Sequence, residues 1–217
     1  MISRFRMGLK NERKTFYICS YGGSGSYMLT KALRNYGKVY HIHSRNPPEN
    51  LQYIGSKDGK FHLQMEWFNG INIPENEIHN YYVIYIYRNP ISAIYARNNI
   101  FSNPHHLDNI ECDSNIELSQ VLSEKKDLYK LEEFFDNYTS HKKRNYKIIC
   151  VKYEDIFTKK DELSNILNIG PLFITYKREE KIYPNQEVLL EIYNNLIQKM
   201  NSFKSLVVIS NENTKIN

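Results

Sequence analysis

The sequence predicts an α/β fold, a three-layer sandwich in which helices cover both faces of a mainly parallel central sheet. Short apolar segments with strand-like composition alternate along the chain with segments whose apolar residues recur at helical spacing. The clearest strand-like segment, residues 81–87, is apolar throughout, as is typical of a central parallel strand. A small-residue turn at residues 20–27 follows the first strand-like segment and leads into the first helical one.

The first elements surround that turn. Residues 15–19 (Thr-Phe-Tyr-Ile-Cys) are β-branched and aromatic, which predicts a buried strand. Apolar residues recur at helical spacing between Met28 and Tyr36, and Gly37 stands where a helix C-cap glycine belongs. A second short strand is predicted at residues 38–43.

Glycine and proline residues interrupt the regular patterns in the middle of the chain. Within residues 49–80, only residues 61–67 have the composition of a strand. The strand at 81–87 is followed by Asn89 and Pro90, and a proline in a first turn predicts a helix, here to about Asn99.

The second half continues the alternation. Ser114 and Glu117 have the spacing of a capping box, which predicts that a helical stretch begins there and, after a break, runs to Tyr138. The remaining predicted elements are a strand at 146–151, a short helix at 160–167, a final helix at 186–203 and a tail in which 206–209 form an optional edge strand. The predicted organisation is an N-terminal extension (1–14), one domain (15–203) and a C-terminal tail (204–217).

Composition narrows the class of protein. Hydrophobic residues make up 41% and charged residues 24%, which is ordinary for a soluble globular domain. The net charge of +5 is scattered, so it suits an anionic ligand but gives no basic stripe for nucleic acid. We expect no membrane span and no secretory signal, and three cysteines without paired spacing indicate a reducing, cytoplasmic location. The 18 tyrosines and the excess of Asn, Ile and Lys suggest an AT-rich genome or a viral origin.

The turn at residues 20–27 is the first candidate site. Its three glycines allow close approach of the backbone to a ligand, and it leads into a helix N-terminus, where unpaired N–H groups favour an anion. The turn lacks the Gly-Lys-Ser/Thr ending of a Walker A loop. The sequence therefore predicts a phosphate cradle, with a tight structural turn as the alternative.

Arg88 is the second candidate. It follows the central strand directly, so it lies at the carboxyl edge of the sheet, where ligands bind in such folds. Its planar guanidinium suits phosphate or sulfate oxygens. The alternative is a structural arginine paired with Glu154 or Asp155.

Taken in order, the glycine loop, Tyr-Arg-Asn-Pro (87–90) and Val-Lys-Tyr-Glu-Asp (151–155) resemble segments of the sulfotransferases that use 3′-phosphoadenosine 5′-phosphosulfate (PAPS). The resemblance spans residues 15–157 and implies a P-loop-like sulfotransferase fold. It also implies that Arg88 binds the 3′-phosphate of the donor, and that the reaction needs no metal. The implied ligands of the 5′-phosphosulfate are Gly22, Gly23, Ser24, Gly25, Ser26 and Tyr27.

Two positions depart from the family pattern. Gly23 stands where the family has a lysine or arginine, and Ala96 stands where it has a serine for the 3′-phosphate, which leaves Ser92 as a weak substitute. Loss of a cation at a site of developing charge costs orders of magnitude in rate. The candidate substitutes for that cation are Arg45, which we favour, Lys31 and Lys57.

A general base is needed to take the proton of the acceptor. His43, at the end of the second strand, is the first choice because imidazole titrates near neutrality, and Glu66 is the second. We predict that His41 faces the opposite side of the strand. His105, His106 and Cys112 do not have the spacing of a zinc motif, so no metal site is predicted.

The resulting hypothesis is transfer of a sulfuryl group from PAPS to a hydroxyl or amine of a small-molecule or carbohydrate acceptor. The acceptor pocket is expected from residues 44–80 and 101–125. Two alternatives remain open: a non-catalytic nucleotide- or anion-binding protein on the same fold, and a divergent P-loop kinase.

Overall fold

The computed structural model describes residues 14–54, 67, 70–98, 105–174 and 181–210. The strands are β1 (Lys14–Cys19), β2 (Gly37–Ile42), β3 (Gln52–Tyr53), β4 (Ile71–Asn72), β5 (Tyr81–Tyr87), β6 (Ile148–Lys152) and β7 (Leu206–Ile209). The helices are α1 (Ser26–Leu33), α2 (Pro90–Asn98), α3 (His105–Asn109), α4 (Leu118–Glu124), α5 (Leu131–Thr139), α6 (Ile156–Ile166) and α7 (Gln186–Ser202), with a 3₁₀ turn at Ile78–Asn80.

Five strands form the central sheet in the order β2-β1-β5-β6-β7. All neighbouring pairs are parallel except β6 and β7, which are antiparallel. The predicted α/β class with a mainly parallel sheet is therefore confirmed. The chain leaves β1 towards β2 on one side and returns to β5 on the other, so the order reverses at the carboxyl ends of β1 and β5. In open α/β sheets, such a reversal opens a crevice that binds ligands.

Helices pack on both faces of this sheet. One face carries α1 and α6 over a core that includes Ile18, Leu29 and Ile84. The other carries α2, α4, α5 and α7 over a core rich in aromatic residues, such as Tyr85 and Phe134. Alternate residues of β5 enter the two cores because successive side chains of a strand point to opposite faces. The layers agree with the predicted sandwich.

Two local predictions were wrong. Gly37 is not a helix C-cap: α1 ends at Leu33, and Gly37 opens β2, where a β-carbon would collide with the carbonyl oxygen of Lys14. The glycine is thus required by the close approach of β1 and β2. The capping box at Ser114 does not start a helix either, since α4 begins at Leu118 after Glu117.

The last elements of the chain match the predictions except at the start of α6. Helix α6 begins at Ile156, earlier than predicted, whereas α7 closely matches the predicted final helix. Residues 206–209 form the edge strand β7, with Ile209 paired to Ile148. The candidate strand at 61–67 lies outside the described residues except for Trp67. Of the helices in the described residues, none is long and apolar enough to cross a membrane.

Candidate anion site

The loop between β1 and α1 turns through three glycines in left-handed or otherwise positive-φ conformations. Their φ angles are 110° at Gly22, 65° at Gly23 and 82° at Gly25. L-residues with side chains rarely adopt such angles, so the glycines are a requirement of this turn. Gly25 is the N-cap residue of α1, and a β-carbon there would collide with the ring of Tyr153.

The N-terminus of α1 is open, which means that its first backbone N–H groups have no protein acceptor among the described residues. Gly25 provides no side-chain cap, and the first backbone hydrogen bond of the helix runs from Leu29 N to Gly25 O at 3.2 Å. Within the described residues, none of the backbone N–H groups of residues 22–28 donates to a protein acceptor. Such groups require a partner, and at the positive end of a helix an anion satisfies them best.

The N-terminus of the neighbouring helix α2, at the same edge of the sheet, is capped by a side chain. Asn89 Oδ1 accepts hydrogen bonds from Ile91 N at 3.0 Å and from Ser92 N at 3.2 Å. This side-chain cap uses the donors that would otherwise face a ligand. Of α1 and α2, only α1 therefore has an N-terminus available to an anion, which makes it the candidate anion site. Ser92, the expected substitute ligand, lies half-buried in the first turn of α2.

Arg88 lies against the glycine loop. Its side chain is 4% exposed, and Nη1 donates to Gly23 O at 3.3 Å. The guanidinium stacks on the ring of Tyr153 at 4.7 Å, and Nε lies 3.9 Å from Glu154 Oε1. Both the predicted position beside the loop and the alternative pairing with Glu154 are thus present.

That ion pair is incompletely bonded. Arg88 Nε and Glu154 Oε2 are buried and make no hydrogen bond among the described residues. A buried charged group without a full set of hydrogen bonds is costly. A ligand oxygen would satisfy the N–H of Arg88 Nε, whereas Glu154 Oε2 is itself an acceptor and would still need a donor. Arg88 therefore has capacity for an additional acceptor.

The packing around Gly23 leaves no space for a cationic side chain at this position of the loop. A β-carbon at Gly23 would collide with Ala93 O and lie 3.2 Å from Ala96 Cβ. Helix α2 thus occupies the space that a lysine or arginine side chain would need. The small side chain at Ala96 belongs to the same packing contact.

The favoured substitute cation, Arg45, is engaged elsewhere. Its Nε lies 3.5 Å from Glu133 Oε1 and 3.8 Å from Glu111 Oε2, and its Nη1 lies 3.6 Å from Cys112 Sγ. Two carboxylates therefore balance its charge. Lys31 is exposed, with Nζ 4.6 Å from the ring centroid of Tyr27, and Lys57 lies outside the described residues.

His43, the first candidate base, is buried at the end of β2. Its Nδ1 lies 2.6 Å from Ser20 O, so Nδ1 carries the proton that is donated to this carbonyl. Burial, and next the neighbouring His41, lower the pKa of His43 well below its usual value. The ring is neutral at pH 7, with Nε2 unprotonated, which is the state a base requires. Glu66, the second candidate, lies outside the described residues.

The predicted orientation of His41 was wrong. The ring centroids of His41 and His43 are 4.3 Å apart, because residues two apart on a strand share a face. His41 Nε2 forms a 2.7 Å hydrogen bond with Ser26 Oγ, the first residue of α1. Burial lowers the pKa of His41 to about 4. The two histidines therefore hold the two ends of the loop, His43 at Ser20 and His41 at Ser26.

Arg97, on α2, is a candidate that the sequence did not reveal. Burial lowers its pKa to about 10, against the opposing effect of Tyr21 and Tyr129. Its charge also acts on His43, so it lies at the same edge of the sheet as the loop. No sequence signal marked it, because its place near the loop depends on the contact between Ala93, one helical turn earlier, and Gly23.

In the described part of the chain, no three His, Cys, Asp or Glu residues are grouped so as to hold a metal ion. The side chains of His105 and His106 lie outside that part. Cys112 Sγ, 3.3 Å from Tyr129 O, is half-buried. Burial raises its pKa to about 11, so it is a protonated thiol at neutral pH.

Comparison of the whole chain with protein-family models, with curated proteins and with solved structures found no match of any of the three kinds.

Proposed function

We propose that the protein binds PAPS and transfers its sulfuryl group to a hydroxyl or amine of a small-molecule or carbohydrate acceptor. The observation that carries the proposal is the open N-terminus of α1, where the N–H groups of residues 22–28 have no acceptor in the described structure. This terminus lies at the strand-order reversal, beside Arg88. The P-loop-like sulfotransferase fold is part of the same proposal.

In this proposal, the loop N–H groups bind the 5′-phosphosulfate, and Arg88 binds the 3′-phosphate. The acceptor oxygen or nitrogen forms a bond to sulfur as the bond from sulfur to the bridging phosphate oxygen breaks, and that oxygen keeps the electron pair. The acceptor proton passes to Nε2 of His43. The low pKa of His43 makes it a weak base, so the acceptor must be oriented well for this transfer.

A second candidate function is binding of a nucleotide or anion without catalysis. The packing of Gly23 against α2 favours it, because the loop itself cannot supply a cation to the leaving group. The two functions share a ligand site and differ in turnover.

Calorimetric titration of 3′,5′-adenosine bisphosphate, the product of the donor, tests the binding step. ATP and GTP with magnesium serve as competing ligands. We expect selective binding of the bisphosphate, weakened about tenfold or more in Arg88→Lys, which keeps the charge but loses the planar fork. Lys126→Ala, at an exposed cation, is the control and retains wild-type affinity. Absence of binding to the folded wild type, or a preference for ATP with magnesium, would overturn the donor assignment.

Turnover separates the two functions. Wild-type protein is incubated with PAPS, with water or a mixture of phenols, amines and sugars as acceptor, and release of the bisphosphate is followed by chromatography. Release above the protein-free rate supports transfer. Tight binding without release supports the non-catalytic function.

A further inference from the structure

The cation assigned to the proposed site is Arg88, which already contacts the loop carbonyl of Gly23 and the carboxylate of Glu154. The donor carries negative charge at both ends. The sulfuryl end therefore requires a second positive group. Gly23 has no room for one, and Arg45 is balanced by two glutamates.

Arg97 lies where such a group is needed. Ala93 and Ala96 of α2 form the surface against which Gly23 packs. Arg97 is one helical turn beyond Ala93, so the two residues share a face of the helix. The guanidinium acts electrostatically on Tyr21, which lies after β1, and on His43, which directly follows β2. It thus lies on the side of the loop that also holds the candidate base.

The two phenols that act electrostatically on Arg97, those of Tyr21 and Tyr129, are uncharged at neutral pH. Burial raises the pKa of Tyr129 to about 12 and that of Tyr21 well above its usual value, so both phenols are neutral. Among the described residues, Arg97 makes no salt bridge with a carboxylate. Asp127, close to Tyr21, already accepts hydrogen bonds from two backbone N–H groups and from Tyr193 Oη. A partly desolvated cation without an anion is unfavourable, and a bound anion would remove that cost.

We propose that Arg97 contacts the sulfuryl group of the donor and stabilises the charge that develops as this group leaves the phosphate. The inference rests on the proposed function and extends it by assigning the second cation of the site. In this arrangement Arg88 holds the nucleotide by its 3′-phosphate, and Arg97 acts on the transferred group. His43 lies near Arg97, so the acceptor approaches sulfur between them.

The test compares two ligands that differ by the sulfuryl group, PAPS and 3′,5′-adenosine bisphosphate. Their dissociation constants are measured at low temperature for wild type, Arg97→Gln and Arg97→Lys. We expect Arg97→Gln to weaken PAPS about tenfold or more and to change the bisphosphate less than about twofold. Release of bisphosphate from PAPS should fall about 100- to 1,000-fold, as for loss of one donor to a developing oxyanion.

Lys126→Gln is the control for the loss of one positive charge, since this lysine is exposed. It should leave the ratio of the two dissociation constants unchanged. Should Arg97→Gln not fold, Arg97→Lys carries the comparison and is expected to weaken PAPS selectively but by a smaller factor.

Equal weakening of both ligands, or no change in either, would overturn the role of Arg97 while leaving the proposed function intact. A folded wild type that binds neither ligand would overturn the proposed function and this inference with it.

Discussion

Gly23 and Ala93 are in such close contact that a β-carbon on the glycine would overlap the alanine carbonyl oxygen. Gly23 also has a φ of 65°. The contact fixes the loop against α2 and turns the backbone of the loop towards the open end of α1. It also leaves no space for a lysine side chain at this position.

We predict that Gly23→Ala lowers the free energy of unfolding by about 2–5 kcal/mol, because a positive φ costs about 1–2 kcal/mol and overpacking about 1–3 kcal/mol. Urea denaturation measures the change. Gly170→Ala is the matched control: its β-carbon would lie 3.4 Å from the Tyr36 ring without a positive φ, and we expect a change within about 0.5 kcal/mol. Equal, small effects at the two glycines would show that the loop does not pack as described.

A second prediction concerns the buried hydroxyl of Tyr138. Tyr138 Oη donates to Ser44 O at 2.9 Å and accepts from Trp67 Nε1 at 3.2 Å. Tyr138→Phe leaves both partners buried without this hydrogen bond, which should cost about 1–3 kcal/mol in the free energy of unfolding. The chain has one tryptophan, so its fluorescence in a denaturant titration reports on Trp67.

The control for this variant is Tyr27→Phe, since the Tyr27 side chain is exposed. It should change stability by less than about 0.5 kcal/mol. A Tyr138→Phe protein with wild-type stability and an unshifted emission spectrum would contradict the bond between Tyr138 and Trp67.

The strands could be predicted from the sequence because their runs of apolar residues end abruptly. The run from Tyr81 to Tyr87 is bounded by polar residues and became β5 with the same limits. Arg88 could be placed at the carboxyl edge for the same reason. A run of this kind needs only local composition to be recognised.

Other features depend on contacts between distant segments. Gly37 resembles a helix cap in sequence, but the approach of β2 to the Lys14 carbonyl determines its role. Arg97 carries no motif, and its nearness to the glycine loop follows from the packing of Ala93 and Ala96 of α2 against Gly23. The pairing of Arg45 with Glu111 and Glu133 is equally non-local, so the sequence did not show that its charge is balanced by carboxylates.

The buried histidines predict that the fold loses stability in mild acid. The pKa of His41 is about 4 in the folded chain, below the value of about 6.5 for an unfolded histidine. Between these two values the unfolded chain binds more protons, so stability is full above about pH 6.5 and falls as the pH drops towards 4. The loss attributable to His41 is about 3 kcal/mol at most.

His41→Gln keeps an amide near Ser26 Oγ but cannot titrate. We expect the free energy of unfolding of this variant to depend less steeply on pH between 6.5 and 4 than that of the wild type. His141→Gln, at an exposed histidine, should keep the wild-type slope. Identical slopes in all three proteins would mean that His41 is not buried in its neutral form.

The last prediction tests whether residues 206–209 belong to the sheet. Ile209 is 4% exposed and pairs with Ile148, whereas Ile182 is 96% exposed. Ile209→Ala should lower the free energy of unfolding by about 2–5 kcal/mol through lost burial and a residual cavity, and Ile182→Ala should change it by less than about 0.5 kcal/mol. Because the two variants remove the same atoms, the difference between them isolates burial. If both had the same small effect in urea denaturation, β7 would not be part of the folded core, and the antiparallel edge of β6 would be open.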